Sequence, residues 1–274
     1  MEHNPNLSPD FVHVRDMEAG PDSLKLLTFP DGLRCYTHSS VEETEFIYNE
    51  VLVAQEYQRH GVTYEDAACV LDVGANIGFF TLFAKKKNPR AVIHAFEPIP
   101  DTCEVLKRNV ELNKLENVHV HSFAVGSDDG SRRAFTYYPH MAGNSTATPS
   151  LKEGQLEIMK GELGEALTDF LFRPETRLSS VRTLSAFLAE QGIESVDVLK
   201  IDVEGDELAV LQGIDGKDFP RIRRVAIETH APRLAQEACK ALEGEGFTVT
   251  YDEQMSVFPG IGGVYAVRDD KGVA

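Results

Sequence analysis

A glycine-rich turn after a short apolar run is the segment of this sequence with the clearest chemistry. Asp72-Val-Gly-Ala-Asn-Ile-Gly78 lies between that run and a helical pattern. Glycine at such a junction lets a ligand approach the backbone where the first helix amides point outward. Glu97 ends the next apolar run, and an acidic side chain about 20 residues on can accept hydrogen bonds from two ribose hydroxyls. The spacing predicts a nucleoside site.

The positions of the glycines indicate which nucleoside binds. A dinucleotide-binding GxGxxG pattern needs glycine at three positions, which here hold Gly74, Asn76 and Phe79. NAD therefore fits poorly, and the P-loop nucleotidases are excluded because GxxxxGK[ST] does not occur. S-adenosylmethionine fits better, because it carries no phosphate and Asp72 or backbone carbonyls can receive its ammonium. Its sulfonium suits an acidic pocket.

Apolar strands and helices alternate from residue 69 nearly to the end of the chain, which is typical of a mostly parallel sheet covered on both faces. The third of these strands alternates valine with His119 and His121. One of its faces is therefore polar, which favours a place at or near the sheet edge with both histidines facing solvent rather than a metal. The predicted strands cover 69–73, 91–96, 118–123, 196–201, 224–228, 247–251 and 263–267.

Two segments lie outside this alternation. Residues 1–42 are expected to be an N-terminal extension with a small hairpin around Pro30-Asp31-Gly32, followed by an amphipathic helix over 43–60. Residues 127–180 interrupt the rhythm and are expected to be an insertion in a single domain over 43–274. The loop at 137–148 within it is either a substrate lid or an ordinary surface segment.

Composition restricts the partners and the compartment. The 27 basic and 44 acidic residues give a net charge of −17, which repels phosphate backbones and anionic lipid headgroups, so nucleic acid and membrane partners are not expected. No apolar stretch reaches about 18 residues and the start lacks a signal-peptide pattern, so we expect a cytoplasmic protein. The four cysteines form no CxxC pair, which predicts reduced thiols without a structural metal.

Three segments together are similar to a known enzyme family. They are the turn at 72–78, Phe96-Glu97-Pro98 and Val198-Leu-Lys-Ile-Asp202-Val-Glu204-Gly-Asp-Glu-Leu-Ala-Val-Leu-Gln-Gly213. The set resembles the FkbM family of class I S-adenosylmethionine-dependent methyltransferases, over roughly residues 43–230. Residues 43–60 and Gly143-Asn-Ser-Thr146 are also similar to members that O-methylate polyketide and nonribosomal-peptide intermediates.

The resemblance implies a Rossmann-like α/β fold with a seven-stranded, mostly parallel sheet, the last strand antiparallel, and helices on both faces. It also implies that the turn lines the methionine part of the cofactor, that Glu97 holds the ribose, and that Phe123 and Ala124 border the adenine with Ser122 as the nearby hydroxyl. Tyr57 is either a core or rim residue or closes over the cofactor. The cofactor-binding residues expected are Tyr57, Asp72, Gly74, Ala75, Asn76, Gly78, Glu97, Pro98, Ser122, Phe123, Ala124 and Asp202.

Methyl transfer to a hydroxyl needs a base near the acceptor or a metal that lowers its pKa. The ends of the fourth and fifth strands face that space and carry Asp202 and Glu204 on one strand and Glu228 and His230 on the other. His230 is the expected base, because a neutral imidazole can take a proton while Glu204 or Glu228 holds its tautomer. Alternatively, His230 simply completes the loop before Pro232.

A magnesium ion is the rival to a histidine base. Asp202, Glu228 and His230 offer an oxygen-rich ligand set at the strand ends. Asp202 is, however, also a candidate for the cofactor ammonium, so the metal is not the favoured interpretation.

These patterns predict an S-adenosylmethionine-dependent O-methyltransferase. Its acceptor is expected to be a hydroxyl of a small secondary metabolite or of a carrier-bound polyketide or peptide intermediate. Two alternatives stay open, an NAD-linked oxidoreductase and a noncatalytic S-adenosylmethionine-binding module. The sequence specifies neither the acceptor nor the oligomeric state.

Overall fold

A computed structural model describes residues 13–16, 24–253, 255 and 260–268. Thirteen strands are found in this part of the chain. In chain order they are β1 His13–Asp16, β2 Lys25–Thr28, β3 Arg34–Thr37, β4 Cys69–Val73, β5 Val92–Phe96, β6 Val118–His121, β7 Ala124–Val125, β8 Arg132–Tyr137, β9 Glu175–Arg182, β10 Val196–Ile201, β11 Ile222–Thr229, β12 Thr248–Asp252 and β13 Gly262–Val267.

Seven of these strands form the central sheet, in the order β12-β13-β11-β10-β4-β5-β6. β13 is antiparallel to both of its neighbours, whereas the strands from β11 to β6 are mutually parallel. The predicted fold class is therefore confirmed, including the antiparallel last strand and the edge position of β6. Because β4 lies between β5 and β10 and is parallel to both, the carboxyl ends of all three strands meet at one edge of the sheet.

Helices cover both faces of this sheet. Val70 of β4 belongs to the same hydrophobic core as Phe79, whereas its neighbour Leu71 belongs to a second core with Phe187. This alternation follows from the two-residue period of a strand buried on both sides. No helix in the described ranges is long and apolar enough to cross a membrane. The helices are α1 Val41–Tyr48, α2 Phe79–Lys87, α3 Pro100–Leu112, α4 Glu153–Leu163, α5 Glu165–Leu171, α6 Leu184–Gln191, α7 Glu207–Gln212 and α8 Pro232–Gly244.

The prediction of one continuous helix over 43–60 is wrong. α1 ends at Tyr48, and one turn of π-helix, Asn49–Val53, follows it. Gln55 and His60 then adopt left-handed backbone conformations, with φ of 54° and 49°, which no α-helix accommodates. The widened turn and the irregular chain after it bring the side chains of this segment to the carboxyl edge of the sheet.

The N-terminal hairpin is joined to the glycine turn through one buried asparagine. β2 and β3 pair around the turn at 30–32. The amide of Asn109 in α3 donates to the carbonyls of Tyr36 in β3 and Ile77 in the glycine turn, at 3.0 and 2.8 Å. Its oxygen accepts from the Tyr36 amide at 2.6 Å. Asn109 thus fixes the position of the turn relative to both elements.

Residues 127–180 form a helical pair and, together with β7 and the end of β9, a second, smaller sheet. β9 pairs antiparallel with β8 and parallel with β7. Between β8 and β9 the chain forms α4 and α5, separated by Gly164 with a φ of +84°. The two helices lie beside the carboxyl edge of the main sheet, because Leu163 and Leu167 line the same cavity as the strand ends.

Three histidines stack at the edge of the main sheet; His119 of β6 is exposed, as expected, whereas His121 is half-buried. The ring of His94 in β5 stacks on His119 and His121 at 5.0 and 5.4 Å, and His94 Nδ1 lies 3.1 Å from His121 Nε2. His121 also contacts Phe187, at 4.9 Å between ring centroids. Burial, together with the neighbouring histidines, lowers the pKa of His94 and of His121 to about 4.

Replacing His121 by phenylalanine should make the fold less sensitive to acid. The pKa of His121 falls from an ordinary value of about 6.5 to about 4 on folding, so protonation favours the unfolded state. This contribution to stability is present at neutral pH and is lost as the pH falls from about 6.5 towards 4. Phenylalanine keeps the ring contacts but takes no proton. Urea unfolding between about pH 8 and pH 5 should therefore show a smaller fall in unfolding free energy for His121→Phe, and parallel curves would contradict this.

Candidate functional site

The ends of β4 and β10 touch directly at a glycine. Gly74 follows β4 with a φ of +79°, and a Cβ atom placed there would lie 1.7 Å from the carbonyl oxygen of Asp202, which follows β10. Only glycine permits so close an approach, since any side chain would force the two strand ends apart. The first glycine of the turn therefore brings the turn and Asp202 together.

Two cavities open at this edge of the sheet and share a wall. The larger has a volume of about 480 Å³ and lies under α1, the π-helical turn and α4–α5. The smaller lies between the glycine turn, the end of β5 and β7. The residues that line both cavities are Gly74, Asn76, Gly143, Asp202 and Glu204.

Glu97 lines the smaller cavity and is bound to the backbone around it. Its two carboxylate oxygens accept hydrogen bonds from the amides of Asn76 and Ile99, each at 2.9 Å. The residue is only 6% exposed. Burial raises its pKa to about 7, although the two amide hydrogen bonds oppose the shift. Pro98, Phe123 and Ala124 line the same cavity, so the structure brings these predicted residues together with Glu97.

Three of the predicted cofactor residues do not line either cavity. Ser122 is exposed, and its hydroxyl contacts the Cys103 thiol. Gly78 begins α2 with a φ of +102°, and a Cβ there would meet Leu106 at 2.6 Å, which gives this glycine a packing role. Ala75 and Tyr57 line the larger cavity only.

Asp72 is the third of these residues, and the expectation that it receives the cofactor ammonium is wrong. It is fully buried and accepts a hydrogen bond from Thr81 at 2.7 Å. Lys200 Nζ lies 3.3 Å from its other oxygen, donates to the carbonyl of Gly74 at 2.7 Å, and lies 3.5 Å from Asp202. Lys200, for which the sequence predicted no role, is thus the cation that pairs with Asp72.

His230 is held at both ring nitrogens by carboxylates. Nε2 lies 2.9 Å from Glu204 and 3.5 Å from Glu228, and Nδ1 lies 3.0 Å from Glu207. Burial opposes a charge on the ring, but these carboxylates outweigh burial and raise the pKa of His230 well above its ordinary value. The three carboxylates therefore favour the protonated imidazole, which argues against the predicted neutral histidine base.

Glu204 shares one carboxylate oxygen between two cations. That oxygen contacts both His230 and Lys152, which comes from the insertion and is 3% exposed. Burial raises the pKa of Glu204, yet His230 and Lys152 outweigh it and lower the pKa to about 2. The sequence did not predict a role for Lys152. No pattern in residues 127–180 distinguishes a lysine that contacts the end of a sheet strand from a lysine on the surface.

Asp202 and Glu228 are bridged by a tyrosine hydroxyl. The Tyr57 oxygen lies 3.1 Å from Asp202 and 2.9 Å from Glu228. The other carboxylate oxygen of Asp202 is buried and has no hydrogen-bond partner among the described residues. Burial raises the pKa of Asp202, and Lys200 opposes that shift. The Asp202 side chain is 24% exposed and lines both cavities, whereas this unpartnered oxygen faces the protein interior.

Three further carboxyl groups in the larger cavity, those of Glu42, Glu43 and Glu50, were missed. Glu43 of α1 accepts a hydrogen bond from Asn144 at 3.0 Å, and Glu50 lies on the π-helical turn. Burial and the nearby charges of Glu228 and Asp202 raise the pKa of Glu50 to about 10. Little in the sequence indicated that these side chains enter the cavity, because acidic residues in an amphipathic helix are expected on its solvent face.

The predicted magnesium ligands do come close to one another. One atom from each of Asp202, Glu228 and His230 lies within 4.8 Å of the others. The His230 nitrogens, however, already contact Glu204 and Glu207 at 2.9 and 3.0 Å. A metal ion would have to displace a proton and one of these contacts.

Comparison with known proteins places this geometry in an enzyme family. The model of the methyltransferase FkbM domain matches residues 72–250. The chain is 36% identical over 249 residues to the 31-O-demethyl-FK506 methyltransferase FkbM of Streptomyces tacrolimicus, covering 87% of this chain and 94% of that protein. It is also 36% identical over 233 residues to methyltransferase sdnD of Sordaria araneosa, covering 81% of this chain and 88% of that protein.

Another relative is much longer than this chain. The AMB antimetabolite synthetase AmbE of Pseudomonas aeruginosa is 32% identical over 257 residues, which are 85% of this chain and 12% of that protein. Among solved structures, M. jannaschii TYW2 in complex with AdoMet has a TM-score of 0.45 and 15% identity, covering 92% of this chain and 90% of that one. From the domain match and these identities, the chain belongs to the FkbM family of S-adenosylmethionine-dependent methyltransferases.

Proposed function

We propose that this protein is an O-methyltransferase that binds S-adenosylmethionine in the smaller cavity and a hydroxylated acceptor in the larger one. The observation that carries the proposal is the wall shared by the two cavities at Gly74, Asn76 and Asp202. In-line methyl transfer requires a donor and an acceptor that meet end to end, and two cavities joined at one carboxylate have that arrangement.

The chemistry of the smaller cavity supports its assignment to the nucleoside. Glu97 has lone pairs left after its two amide contacts and can accept hydrogen bonds from ribose hydroxyls. Phe123 and Ala124 offer apolar surface to an adenine ring. The turn from Gly74 to Asn76 then borders the methionine part, as the family pattern implies.

Asp202 is the residue that we assign as the base. S-adenosylmethionine, when bound, supplies the electrophilic methyl group. The Asp202 carboxylate, which lines both cavities, takes the proton of the acceptor hydroxyl as the oxygen–methyl bond forms and the sulfur–methyl bond of the donor breaks. Tyr57 and Lys200 orient this carboxylate. His230 acts as a cation that holds Glu204 and Glu228 in place.

The relatives support a small-molecule acceptor. The name of one relative specifies methylation at an oxygen of FK506, and another relative is an antimetabolite synthetase. We therefore propose a hydroxyl of a secondary metabolite, free or carrier-bound, as the acceptor. An NAD-linked oxidoreductase has no support from the family match, and a noncatalytic module differs from this proposal by having no turnover.

Removing the Glu97 carboxylate should weaken cofactor binding. We expect Glu97→Ala to weaken S-adenosylhomocysteine binding by about 1–3 kcal/mol, the usual cost of unmade charge-assisted hydrogen bonds. Calorimetry on this variant and on the exposed helical control Glu104→Ala measures the effect, with thermal melting as the check on folding. Because the pKa of Glu97 is raised to about 7 and hydroxyl donors prefer the ionised form, wild-type affinity should rise as the pH rises through about 7. Unchanged affinity in Glu97→Ala would remove the ribose assignment.

Replacing the proposed base should slow turnover without abolishing cofactor binding. Asp202→Asn keeps the shape of the side chain but takes no proton, so we expect kcat to fall about 10²–10⁴-fold. In the wild type, kcat should rise with pH through the raised pKa of Asp202, and this rise should disappear in the variant. Transfer of a labelled methyl group to a panel of hydroxylated acceptors gives the rates, with the exposed Asp215→Asn as control. An active Asp202→Asn variant beside an inactive His230→Gln variant would return the role of base to the histidine.

Chelation of divalent metals should leave the activity intact. The carboxylates of Glu204 and Glu207 already neutralise the His230 imidazolium, so a metal ion has no vacant ligand there. We expect methyl transfer to change less than about twofold after EDTA treatment, because the proposed proton acceptor is a carboxylate rather than a metal-bound oxygen. Activity that vanishes with EDTA and returns with magnesium would instead assign Asp202, Glu228 and His230 to a metal.

A further inference from the structure

Three of the seven exposed large apolar side chains in the described part of the chain line the larger cavity. They are Phe46 of α1, Leu163 of α4 and Leu167 of α5, which are 37–47% exposed. Exposed apolar groups that line a cavity mark a binding site.

This surface is continuous with the catalytic cavity. Leu163 and Leu167 line the same cavity as Asp202, and so do Met159 and Leu171. None of the residues of α4 is buried, although the helix carries several apolar side chains. A molecule that fills the cavity would therefore cover apolar groups that the protein itself leaves in contact with water.

The charges around the mouth restrict what that molecule can be. The residues that line the larger cavity include six carboxyl groups and three cationic groups, and one of the six, Glu50, is neutral at pH 7 because its pKa is raised to about 10. α4 and α5 add five acidic residues against one lysine. An anionic occupant of the cavity would be repelled.

From the apolar rim and its negative surroundings, we propose that the methyl acceptor has an apolar body, is neutral or cationic, and lies against Met159, Leu163 and Leu167 while its hydroxyl reaches Asp202. The inference rests on the proposed function, because it takes the larger cavity as the acceptor site. Leu163 and Leu167 are then specificity-determining residues that tighten the binding of apolar acceptors and contribute nothing to a small polar one.

A homologous series of neutral alcohols tests the proposal by binding alone. We would measure displacement of the neutral dye Nile red by 1-alkanols from butanol to decanol, with S-adenosylhomocysteine present. Each added methylene should tighten binding about threefold to fourfold, the ratio equivalent to about 0.8 kcal/mol per buried methylene. Decanoate, which has the same chain and a negative charge, should bind at least about tenfold more weakly than decanol.

Matched variants locate the effect. The double variant Leu163→Gln, Leu167→Gln should bind decanol about tenfold more weakly and butanol almost unchanged, because only the longer chain reaches the rim. Leu178→Gln is the control, since Leu178 on β9 is also 56% exposed but lines neither cavity. All three positions are exposed, so the variants should fold as the wild type does.

Several outcomes would overturn the inference. They are affinity independent of chain length, equal affinities in the wild type and the double variant, or decanoate binding as tightly as decanol. If the wild type is a dimer and the double variant is a monomer, the surface binds a second copy of the chain. If the wild type binds neutral phosphatidylcholine vesicles and the double variant does not, the surface binds a membrane. Chain-length-dependent binding without methyl transfer to any acceptor would overturn the proposed function but not the apolar site. If the protein methylated sugars efficiently and the double variant did so equally well, the proposed function would stand and the apolar acceptor site would be overturned.

Discussion

The buried ammonium of Lys200 is the interaction on which the rest of the site depends. It lies between the carboxylates of Asp72 and Asp202 and donates to the carbonyl of Gly74. Burial lowers the pKa of this lysine, but the two carboxylates outweigh burial and raise it, so the charge is retained. One cation therefore joins the ends of β4 and β10. Removal of one partner from such a buried group leaves uncompensated charge, which costs about 3–5 kcal/mol.

Around this lysine, negative charge exceeds positive charge, and the excess determines the chemistry of the cavity. His230 stays protonated because three carboxylates surround it, and Glu204 stays ionised because His230 and Lys152 contact it. Burial, together with the charges of Glu228 and Glu204, outweighs the nearby cations Lys200 and His230 and raises the pKa of Asp202. The same neighbourhood thus makes the histidine a fixed cation and makes the aspartate the group able to exchange a proton.

The insertion at 127–180 contributes to both ends of the larger cavity. Lys152 extends from it to Glu204 at the floor, whereas Leu163 and Leu167 stand exposed at the mouth. A helical pair joined to the floor by a buried ion pair can present apolar groups to a ligand without first burying them in the protein core. The elements that balance charge at the floor and the elements proposed to select the acceptor are therefore adjacent in sequence.

The sequence by itself determined the order of strands and helices, the position of the glycine turn, the position of Glu97 at the end of β5, and the family. These follow from strand periodicity and from residues that are neighbours along the chain. It could not determine that Asp72 is paired with Lys200 or that His230 is charged. Those properties depend on burial and on the distances between groups that are far apart in sequence. Only the tertiary structure brings Glu50 and Lys152 into the same cavity as the strand ends, and no local pattern predicts which surface-type residues end there.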